Sequence, residues 1–410
     1  MVAYHFPPVS GTSGIQRTLR FVEHLPRFGW EPIVLTAHTF VYSTKSSDLL
    51  SDVPRGVHIE RAFALDTARH LSIAGRYPGF AARPDRWVSW YFWAVPAGLR
   101  LIRRFRPDAL WTTFPIASAH MIGATLARRG KLPWIADFRD PMAQVGYPED
   151  PKVWRSFERV ERQAVFGSAA CTFTTPRAVG LYQQRYAEVS ANHFRLIENG
   201  YDEETFSEAQ GTSVPPLAEG KLTLVHSGIV YPEERNPVAL IAALGKVAGE
   251  HPNLARRLLV RFRAPIHGQL LRELASTHGA TEMIDIAPPV PYRDALREML
   301  AADGLLLLQG ANCSDQVPAK FYEYLRARRP IVALTNSDGD TAGVMATAGI
   351  PVAAPLDDAE RIASALVRFV QDENWRDSLI AEDAAVAPAS RLGRTEQLAA
   401  LLEQFGRKAR

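Results

Sequence analysis

The segment KLTLVHSGIVYPEERNPVALIAALGKVAGE, at positions 221–250, decides the fold. Its first part, 222–227, is a short, mostly apolar run of strand length, which predicts a buried β-strand. A loop containing Gly228 and Pro232 follows, and 237–250 has the length and the Ala/Leu-rich composition of a helix. A strand, a loop and a helix in this order form the βα unit from which parallel sheets are built.

The same alternation extends through the rest of the chain in both directions. In the second half it predicts further strands at 258–263, 283–286, 304–308, 331–334 and 351–352, and further helices at 268–279, 292–301, 318–326 and 358–371. In the first half it predicts strands at 2–5, 32–36, 109–113, 134–137 and 171–174, and helices at 14–27, 88–105, 118–129 and 151–166. The predicted fold class is therefore α/β, with parallel sheets covered by helices on both faces.

The two series of strands indicate two domains, as the length of 410 residues also suggests. The Ser/Pro/Gly-rich stretch 207–221 has the composition of a linker, although the boundary can also fall earlier, near Ala191. We predict domains at 1–190 and 191–385, followed by a helical segment at 386–410. Two doubly wound domains are expected to bind a ligand in a cleft between them, at the carboxyl ends of their strands.

Composition excludes several classes of protein. The net charge of +3 is too small for general nucleic-acid binding, and the two cysteines, Cys171 and Cys313, lack metal-ligand spacing and favour a reducing, cytoplasmic compartment. We expect no secretory signal, because the first residues lack a charged segment followed by an apolar run, although a few native residues can precede Met1. The longest apolar run, 87–102, is shorter than the ~20 residues of a membrane span and contains Pro96 and Arg100.

Candidate site residues in the second half follow two predicted strands. After the strand at 222–227, Gly228 allows a ligand to approach the backbone and Arg235 offers a guanidinium to a pyrophosphate, unless it is simply a solvated arginine. After the strand at 304–308, Asp315 precedes a helix that contains Glu323, eight positions later. Two carboxylates at this spacing suit sugar hydroxyls. The backbone amides of the segment from Val317 through Pro318 and Ala319 to Lys320 suit phosphate, and the Lys320 side chain adds a positive charge. The alternative is an ordinary capped helix.

Candidate residues in the first half also follow strands. Gly11 and Gly14 flank the start of the first helix, where glycines and free amides favour phosphate, although such a loop is often a simple turn. The block IADFRDP places Asp137, Arg139 and Asp140 at the end of a strand, either as a site or as a structural Asp–Arg pair. The glycine spacing is wrong for a dinucleotide-binding fingerprint, which disfavours a dehydrogenase.

Together these motifs resemble glycosyltransferase family 4 over nearly the whole chain. The matching segments are GTSGIQR, the Asp-Phe-Arg-Asp-Pro block, IENGYDEETF and the Glu-x7-Glu motif, which falls on Asp315 and Glu323. The resemblance implies the GT-B fold, with two Rossmann-like domains facing across a cleft and a C-terminal helix that packs back on the N-terminal domain. It also implies retaining transfer from a nucleotide-diphosphate sugar to a saccharide or polyprenyl-linked saccharide in bacterial polysaccharide synthesis.

The resemblance assigns roles to the candidate residues. Glu323 would bind the ribose, Asp315 the donor sugar, and Arg235 and Lys320 the diphosphate, while Gly14 would lie against the transferred sugar or the diphosphate. The catalytic set implied in this way is Arg235, Lys320, Asp315, Asp140 and Arg139, and the donor-binding set is Gly14, Gly228, Glu323, Val317, Pro318 and Ala319. The motif residues Asn199 and Gly200 would shape a hinge.

The chain departs from the family pattern at three positions. Asp315 replaces a glutamate, Ile229 stands where many members have an arginine, and Arg139 stands where many have a histidine. The retaining mechanism implied by the resemblance requires no cofactor and no essential metal. An epimerase of similar fold or a non-catalytic assembly subunit is the alternative.

The segment 86–107 suggests a membrane partner. It contains no acidic residue. Its aromatic residues are Trp87, Trp90, Tyr91, Phe92, Trp93 and Phe105, and its five arginines are Arg86, Arg100, Arg103, Arg104 and Arg106. Aromatic rings and arginines favour an anionic membrane surface, which would place the protein peripherally at the inner face of a bacterial plasma membrane. Alternatively, the aromatic residues belong to the core of the first domain.

Overall fold

The computed structural model describes residues 1–10, 14–47, 49–210 and 216–406, which divide into two compact α/β units. The first unit comprises Met1–Glu198 together with the C-terminal segment that begins at Arg391, and the second comprises Asn199–Ser390. Each unit contains its own parallel sheet and its own hydrophobic core. The predicted α/β class with two sheets is therefore confirmed.

The first unit contains parallel strands joined mostly by helices. The strands are Ile33–Ala37 (β1), His58–Ala62 (β2), Leu110–Thr113 (β3), Trp134–Arg139 (β4), Ala170–Phe173 (β5) and Phe194–Leu196 (β6). The helices are Gly14–His24 (α1), Thr67–His70 (α2), Trp90–Phe105 (α3), Ala117–Gly130 (α4), Pro151–Gly167 (α5) and Pro176–Arg185 (α6). Strands β3 to β6 form a sheet in the order β3-β4-β5-β6, and β1 pairs with β2.

The predicted first strand is reduced to a short bridge between these two sets of strands. Val2 pairs in parallel with Leu35 in β1 and with Thr112 in β3. Two strands, β2 and β6, were missed by the sequence analysis. Because β6 pairs with β5, the first unit continues to Glu198 rather than ending near residue 190.

The second unit is built around a five-stranded parallel sheet in the order β11-β10-β7-β8-β9. The strands are Leu222–Ser227 (β7), Leu258–Arg263 (β8), Ile284–Ala287 (β9), Gly304–Leu308 (β10) and Ile331–Leu334 (β11). The helices are Glu203–Gln210 (α7), Val238–Glu250 (α8), Pro252–Ala255 (α9), Gly268–His278 (α10), Tyr292–Ala301 (α11), Ala319–Ala327 (α12), Asp340–Thr347 (α13), Ala359–Gln371 (α14), Glu373–Asp377 (α15) and Asp383–Val386 (α16). The strand predicted at 351–352 is wrong, since this stretch of the chain contributes a single bridge between Leu334 and Ala354.

The stretch predicted as a linker belongs to the second unit. Residues 203–210 form helix α7, and the unit continues beyond it, while residues 211–215 lie outside the described residues. The buried Phe206 of α7 joins a core cluster with Tyr201 and Phe321. The apolar side of this helix therefore packs against the second sheet and its helices.

The last helix, Arg391–Phe405 (α17), returns to the first unit, as the GT-B resemblance predicts. Leu398 and Leu402 of α17 are buried in one cluster with Phe21 of α1 and Trp111 of β3. The Arg394 guanidinium donates to the Glu198 carboxylate, with Nη2 and Oε2 2.7 Å apart. None of the helices in the described ranges has both the length and the apolar character that crossing a bilayer requires.

Candidate functional site

The carboxyl end of β7, the central strand of the second sheet, is shaped by Gly228. Its φ of +102° lies in a region that residues with a Cβ rarely adopt. A Cβ added to Gly228 would lie 3.3 Å from the Lys320 Nζ atom. A glycine at this position therefore allows the lysine ammonium to approach the backbone of the loop.

Lys320 extends from α12 toward His226 of β7. The His226 Nδ1 atom lies 2.9 Å from the carbonyl oxygen of Leu306, and a carbonyl can only accept, so Nδ1 carries the proton. In the neutral imidazole the other nitrogen, Nε2, is then an acceptor, and it lies 3.2 Å from Lys320 Nζ. Burial first, and then the charge of Lys320, lower the pKa of His226 well below its ordinary value, which keeps the imidazole neutral.

The Lys320 ammonium is held in surroundings that disfavour its charge. Burial, and secondly the charge of Arg235, lower the pKa of Lys320 to about 7, while Glu323 acts in the opposite direction. An anionic ligand would relieve both effects because its charge would compensate the two cations. The pair Lys320 and Arg235 therefore has the electrostatics of an anion site.

Arg235 is fixed by its own loop. Its Nη1 atom donates to the carbonyl of Ile229 at 2.9 Å, and its guanidinium lies 5.1 Å from the ring centre of Tyr231. A guanidinium carries five N–H donors, so one hydrogen bond to the loop leaves capacity for a phosphate. The hydrogen bond to Ile229 therefore orients the Arg235 side chain and leaves its other N–H groups available to a ligand.

The loop between β10 and α12 carries Asp315 and is tied down from both sides. The buried Gln309 donates from Nε2 to the carbonyls of Cys313 and Gln316, at 2.8 Å each. Asp340 donates its backbone N–H to the Ser314 carbonyl at 2.7 Å. Asp315 itself is half-buried.

Helix α12 begins at Ala319, and Pro318 occupies its N-cap position. Val317 is buried, Pro318 is half-buried and Ala319 is exposed. The first N–H groups of an α-helix have no partner within the helix, so this end is suited to phosphate. Glu323, one turn further, accepts a hydrogen bond from the Tyr292 hydroxyl at 2.7 Å. The structure thus brings Gly228, Arg235, Lys320 and Glu323 of the second-unit predictions to the carboxyl edge of one sheet.

In the first unit, Asp137 has a structural role. Its carboxylate accepts hydrogen bonds from Arg17, from Thr113 at 2.9 Å and from Thr172 at 2.7 Å. The side chain is completely buried. The structural Asp–Arg pair considered for this block is therefore real, but the partner of Asp137 is Arg17 and not the neighbouring Arg139.

Arg139 instead points toward the start of α1. The register of β4 against β5 shifts between Asp137 and Arg139, and the φ of Arg139 is +63°. A Cβ on Gly14 would lie 2.9 Å from Arg139 Nη1 and 2.9 Å from His5 Nδ1. Burial, and then the charge of Arg139, lower the pKa of His5 to about 4, so the cation faces a neutral imidazole.

Asp140 lies beside this group and is exposed. The Thr174 hydroxyl, 2.9 Å from the Arg139 carbonyl, is 3.4 Å from the Asp140 carboxylate. Gly14, Arg139 and Asp140 therefore share the carboxyl edge of the first sheet. Gly11 lies outside the described residues.

The sequence also contains an Asp-x-Asp tripeptide, Asp338-Gly339-Asp340, of the type that holds metal ions in other enzymes. It forms the turn before α13, where Asp340 is buried and Asp338 is exposed. The backbone N–H of Asp338 donates to the Oδ1 atom of Asn336 at 3.2 Å. The tripeptide is therefore part of the turn that supports the Asp315 loop.

Several residues of these groups were missed by the sequence analysis. His226, Tyr292, His5 and Arg17 all contact a predicted site residue or its neighbour in the sheet. His226 sits inside a strand and Arg17 inside a helix, where the sequence gives no sign of their distant partners. A polar residue that interrupts a buried apolar strand, as His226 does, is the available signal.

Comparison with known proteins gives a family model for most of the first unit and a common fold for the whole chain. Residues 13–200 match the family model described as a glycosyl transferase 4-like domain. No curated protein sequence gives a significant match. Sucrose-phosphate synthase from Thermosynechococcus elongatus is similar in structure, with a TM-score of 0.66, 14% identity and 98% of each chain covered.

Two further structures with a similar fold are named after nucleotide sugars. Anabaena HepE in complex with UDP-glucose has a TM-score of 0.66 and 13% identity, covering 98% of this chain and 100% of HepE. A UDP-N-acetylglucosamine 2-epimerase has a TM-score of 0.57 and 14% identity, covering 98% of this chain and 95% of the epimerase. At these identities the structures show a common fold.

Proposed function

We propose that this chain, a glycosyltransferase family 4-like protein with the GT-B fold, transfers a sugar from a nucleotide-diphosphate donor with retention of configuration. The acceptor is a saccharide or a lipid-linked saccharide of a bacterial polysaccharide, such as an exopolysaccharide, a capsule or an O-antigen. The observation that carries this proposal is the group formed by Gly228, Arg235, Lys320 and Glu323 at the carboxyl end of β7 and the start of α12.

The charges of this group suit a donor diphosphate. Lys320 lies against Gly228, and the charge of Arg235 lowers the pKa of Lys320, so an anion bound at the end of β7 would interact favourably with both cations. The amino end of α12 adds backbone N–H groups. Glu323 accepts from a hydroxyl, that of Tyr292, and the same carboxylate suits the ribose hydroxyls. Asp315 is assigned to the donor sugar, with Val317, Pro318 and Ala319 beside the phosphates.

The proposed chemistry places all new charge on the diphosphate. The bond between the sugar C1 atom and the diphosphate oxygen breaks, and the acceptor oxygen bonds to C1 on the same face. The acceptor proton passes to the departing diphosphate, and Arg235 and Lys320 stabilise the charge that develops there. Gly14, Arg139 and Asp140 are assigned to the transferred sugar or the acceptor.

This chemistry needs neither a cofactor nor a metal ion. Excess EDTA should leave turnover within a factor of about two, because side chains and backbone amides meet the diphosphate charge. If the reaction did require a metal ion, the Asp338-Gly339-Asp340 turn would be the candidate site for it. Activity lost in EDTA, restored by magnesium or manganese and reduced in Asp338→Asn would assign the charge to a metal.

An epimerase is the main alternative, since a sugar-nucleotide epimerase has the same fold. The glycosyl transferase 4-like domain at 13–200 favours transfer. Incubation with UDP-, GDP- and dTDP-sugars and a saccharide acceptor separates the possibilities by product. Transfer supports the proposal, isomerisation without an acceptor identifies an epimerase, and binding without turnover identifies a non-catalytic subunit.

We further propose that the first unit docks on the inner face of the bacterial plasma membrane. The structure divides the segment 86–107: Trp90 is buried and Trp87 packs on Tyr4, whereas Phe92 and Trp93 are exposed. Trp93 contacts Phe63, which stacks on Phe40, with ring centres 4.9 and 6.3 Å apart.

These four side chains, Phe40, Phe63, Phe92 and Trp93, are here named the aromatic patch, and all four are exposed. Arg100 lies two helical turns from Trp93 on the same side of α3, and Arg103 and Arg104 are also exposed. An apolar surface next to cations matches an anionic phospholipid surface. The part of the predicted membrane segment that faces the core, Trp87 and Trp90, is excluded from this role.

A further inference from the structure

The Lys320 ammonium contacts a histidine, His226, instead of a carboxylate. An ammonium needs water or acceptors around it, and here one acceptor is the Nε2 atom of a completely buried, neutral histidine. The histidine is itself locked, because its Nδ1–H donates to the Leu306 carbonyl in the neighbouring strand β10. The tautomer and the ring orientation are thus set by the sheet, and the sheet sets the place of the ammonium.

The groups that face Lys320 come from three directions. Arg235, in the loop after β7, repels the ammonium, and Glu323, on α12, attracts it. The hydroxyl of the buried Tyr324 accepts a hydrogen bond from the Ser227 N–H at the end of β7, and burial raises its pKa, so it carries no charge. Among the charged and titratable groups described here, His226 is the one that binds Nζ directly within 3.2 Å.

We propose that His226 is a positioning residue that holds the Lys320 ammonium beside Gly228 for the donor diphosphate and, by accepting its hydrogen bond, sets the pH above which donor binding weakens. This inference rests on the proposed function, in which Lys320 meets the diphosphate. His226 itself is not assigned to the donor. It acts through Lys320, by accepting one of the three N–H groups of the ammonium and directing the other two outward.

The direction of the pH dependence follows from the charge of Lys320. Its pKa in the free protein is about 7, so the amine is largely neutral at higher pH. A diphosphate favours the ammonium, so binding above pH ~7 must take up a proton, and affinity should fall about tenfold per pH unit. Below pH ~7 the lysine is already charged and affinity should level off.

Two substitutions of His226 separate its two hydrogen bonds. In His226→Asn, the amide reaches the position of Nδ1 and can still donate to Leu306, but nothing reaches Lys320. In His226→Gln, the amide oxygen reaches the position of Nε2 and can still accept from Lys320. The pair therefore tests the contact to Lys320 in two proteins with similar loss of the aromatic ring.

The first measurement needs no ligand. Competitive acetylation with acetic anhydride across about pH 5 to 10, read by peptide mass, gives the midpoint at which the Lys320 amine becomes reactive. We expect a midpoint near pH 7 in the wild type and in His226→Gln. In His226→Asn the ammonium loses an acceptor, so the midpoint should fall by about one unit. An equal midpoint in His226→Asn and the wild type overturns the proposal.

The second measurement uses UDP-glucose, whose doubly esterified diphosphate keeps a constant charge over this range. Its dissociation constant should rise with pH above ~7 in the wild type and in His226→Gln. In His226→Asn the rise should begin at lower pH, with affinity weaker by about fivefold at pH 7 and by about tenfold at pH 8 and above. Binding to the wild type without pH dependence overturns the proposal even if the acetylation midpoint is as expected.

The two measurements distinguish failure of the inference from failure of the proposed function. If UDP-glucose, GDP-glucose and dTDP-glucose all fail to bind the wild type, the donor site is wrong. The acetylation midpoints then still decide whether His226 controls Lys320. If a nucleotide sugar binds and Lys320 is not protected from acetylation by it, the assignment of Lys320 to the diphosphate is wrong and the inference falls with it.

Discussion

Arg17 and Asp137 form a buried, two-pronged ion pair that ties α1 to the end of β4. The Arg17 Nε atom donates to Asp137 Oδ2 at 3.0 Å, and Nη2 donates to Oδ1 at 2.8 Å. The same guanidinium donates to the carbonyls of Ile197 and Glu198, at 2.9 and 3.0 Å. One arginine thus fixes the helix after the glycine loop, the DFRDP block and the end of the first unit's chain before residue 199.

The first prediction concerns this pair. Asp137→Ala should lower the free energy of unfolding by about 3–5 kcal/mol, because it leaves the Arg17 charge buried without its carboxylate. The double variant Arg17→Met/Asp137→Leu should be less destabilised than Asp137→Ala, since it removes both charges. Urea unfolding measures both. Glu60→Gln, which weakens the more exposed contact to Arg100 at 3.6 Å, is the control and should change stability by under ~1 kcal/mol.

The same pair gives a dependence on acid. Burial alone would raise the pKa of Asp137, but the charge of Arg17 and the hydrogen bonds from Arg17, Thr172 and Thr113 outweigh it and lower the pKa. The contribution to stability is therefore complete above the unfolded pKa of ~3.9 and is lost as pH falls below it. A double variant that unfolds with the same acid dependence as the wild type would contradict this.

The second prediction separates Glu323 from its neighbour. Glu323→Ala should weaken nucleotide binding by roughly 2–3 kcal/mol, because two hydroxyl hydrogen bonds to a carboxylate are lost. Tyr292→Phe removes the hydroxyl that donates to Glu323 and keeps the carboxylate that is assigned to the ribose. It should bind nucleotide as well as the wild type. Calorimetry on folded protein decides, and equal affinity in Glu323→Ala would remove this residue from the donor site.

The third prediction is that removing the Lys320 charge has opposite effects on stability and on nucleotide binding. The pKa of about 7 is below the ordinary value of 10.5, so the folded protein holds this proton less tightly than the unfolded chain. The loss of folding stability caused by the buried ammonium is complete below pH ~7 and disappears as pH rises toward ~10.5. Lys320→Met should therefore raise the free energy of unfolding by roughly 1 kcal/mol at pH 6 and by less at pH 9, while weakening nucleotide binding. Lower stability at pH 6 would show that the ammonium is not destabilising.

The fourth prediction concerns Gly228. Gly228→Ala should weaken nucleotide binding and cost about 1 kcal/mol or more of stability, because its φ of +102° strains an alanine and the new Cβ displaces Lys320. Gly249→Ala, near the end of α8, meets no atom within 4 Å and should be neutral or stabilising. Thermal unfolding with and without nucleotide compares the two. Unchanged nucleotide affinity in Gly228→Ala would separate the glycine from the site.

The sequence predicted where polar side chains would collect, because strand ends can be read locally. The apolar runs of β4, β7 and β10 are each followed by a polar loop, and parallel strands bring these loops to one edge of their sheet. Gly228, Arg235, Lys320 and Glu323 were found in this way. The fold class and the return of α17 to the first unit follow from the same alternation and from the family resemblance.

The contacts that give these side chains their properties could not be read in this way. Asp137 was singled out, but its partner Arg17 is 120 residues away, inside a helix whose polar residues are expected to face solvent. Lys320 was assigned to phosphate, but its acceptor His226 is 94 residues away in a strand. Strand β2 was missed because HIERA is largely polar and partly exposed, and β6 was missed because FRL is only three residues long. Long-range pairing of polar groups leaves no periodic pattern in the sequence.

The last prediction concerns docking of the first unit on a membrane. The aromatic patch joins Phe92 and Trp93 of α3 to Phe40 and Phe63, and arginines of α3 lie further along the same helix. The wild type should sediment with phosphatidylglycerol vesicles at low salt and detach at high salt, since an exposed charge is screened. Changing Arg100, Arg103 and Arg104 to glutamine should reduce partitioning by more than tenfold, at about 1 kcal/mol for each arginine. Phe92→Ser should also reduce it, because an exposed ring is lost from the interface.

Ile266→Ser, at an exposed apolar residue of the second unit, is the control and should partition as the wild type does. Equal sedimentation of all four proteins, or none with any of them, would leave the aromatic patch without a role in membrane docking.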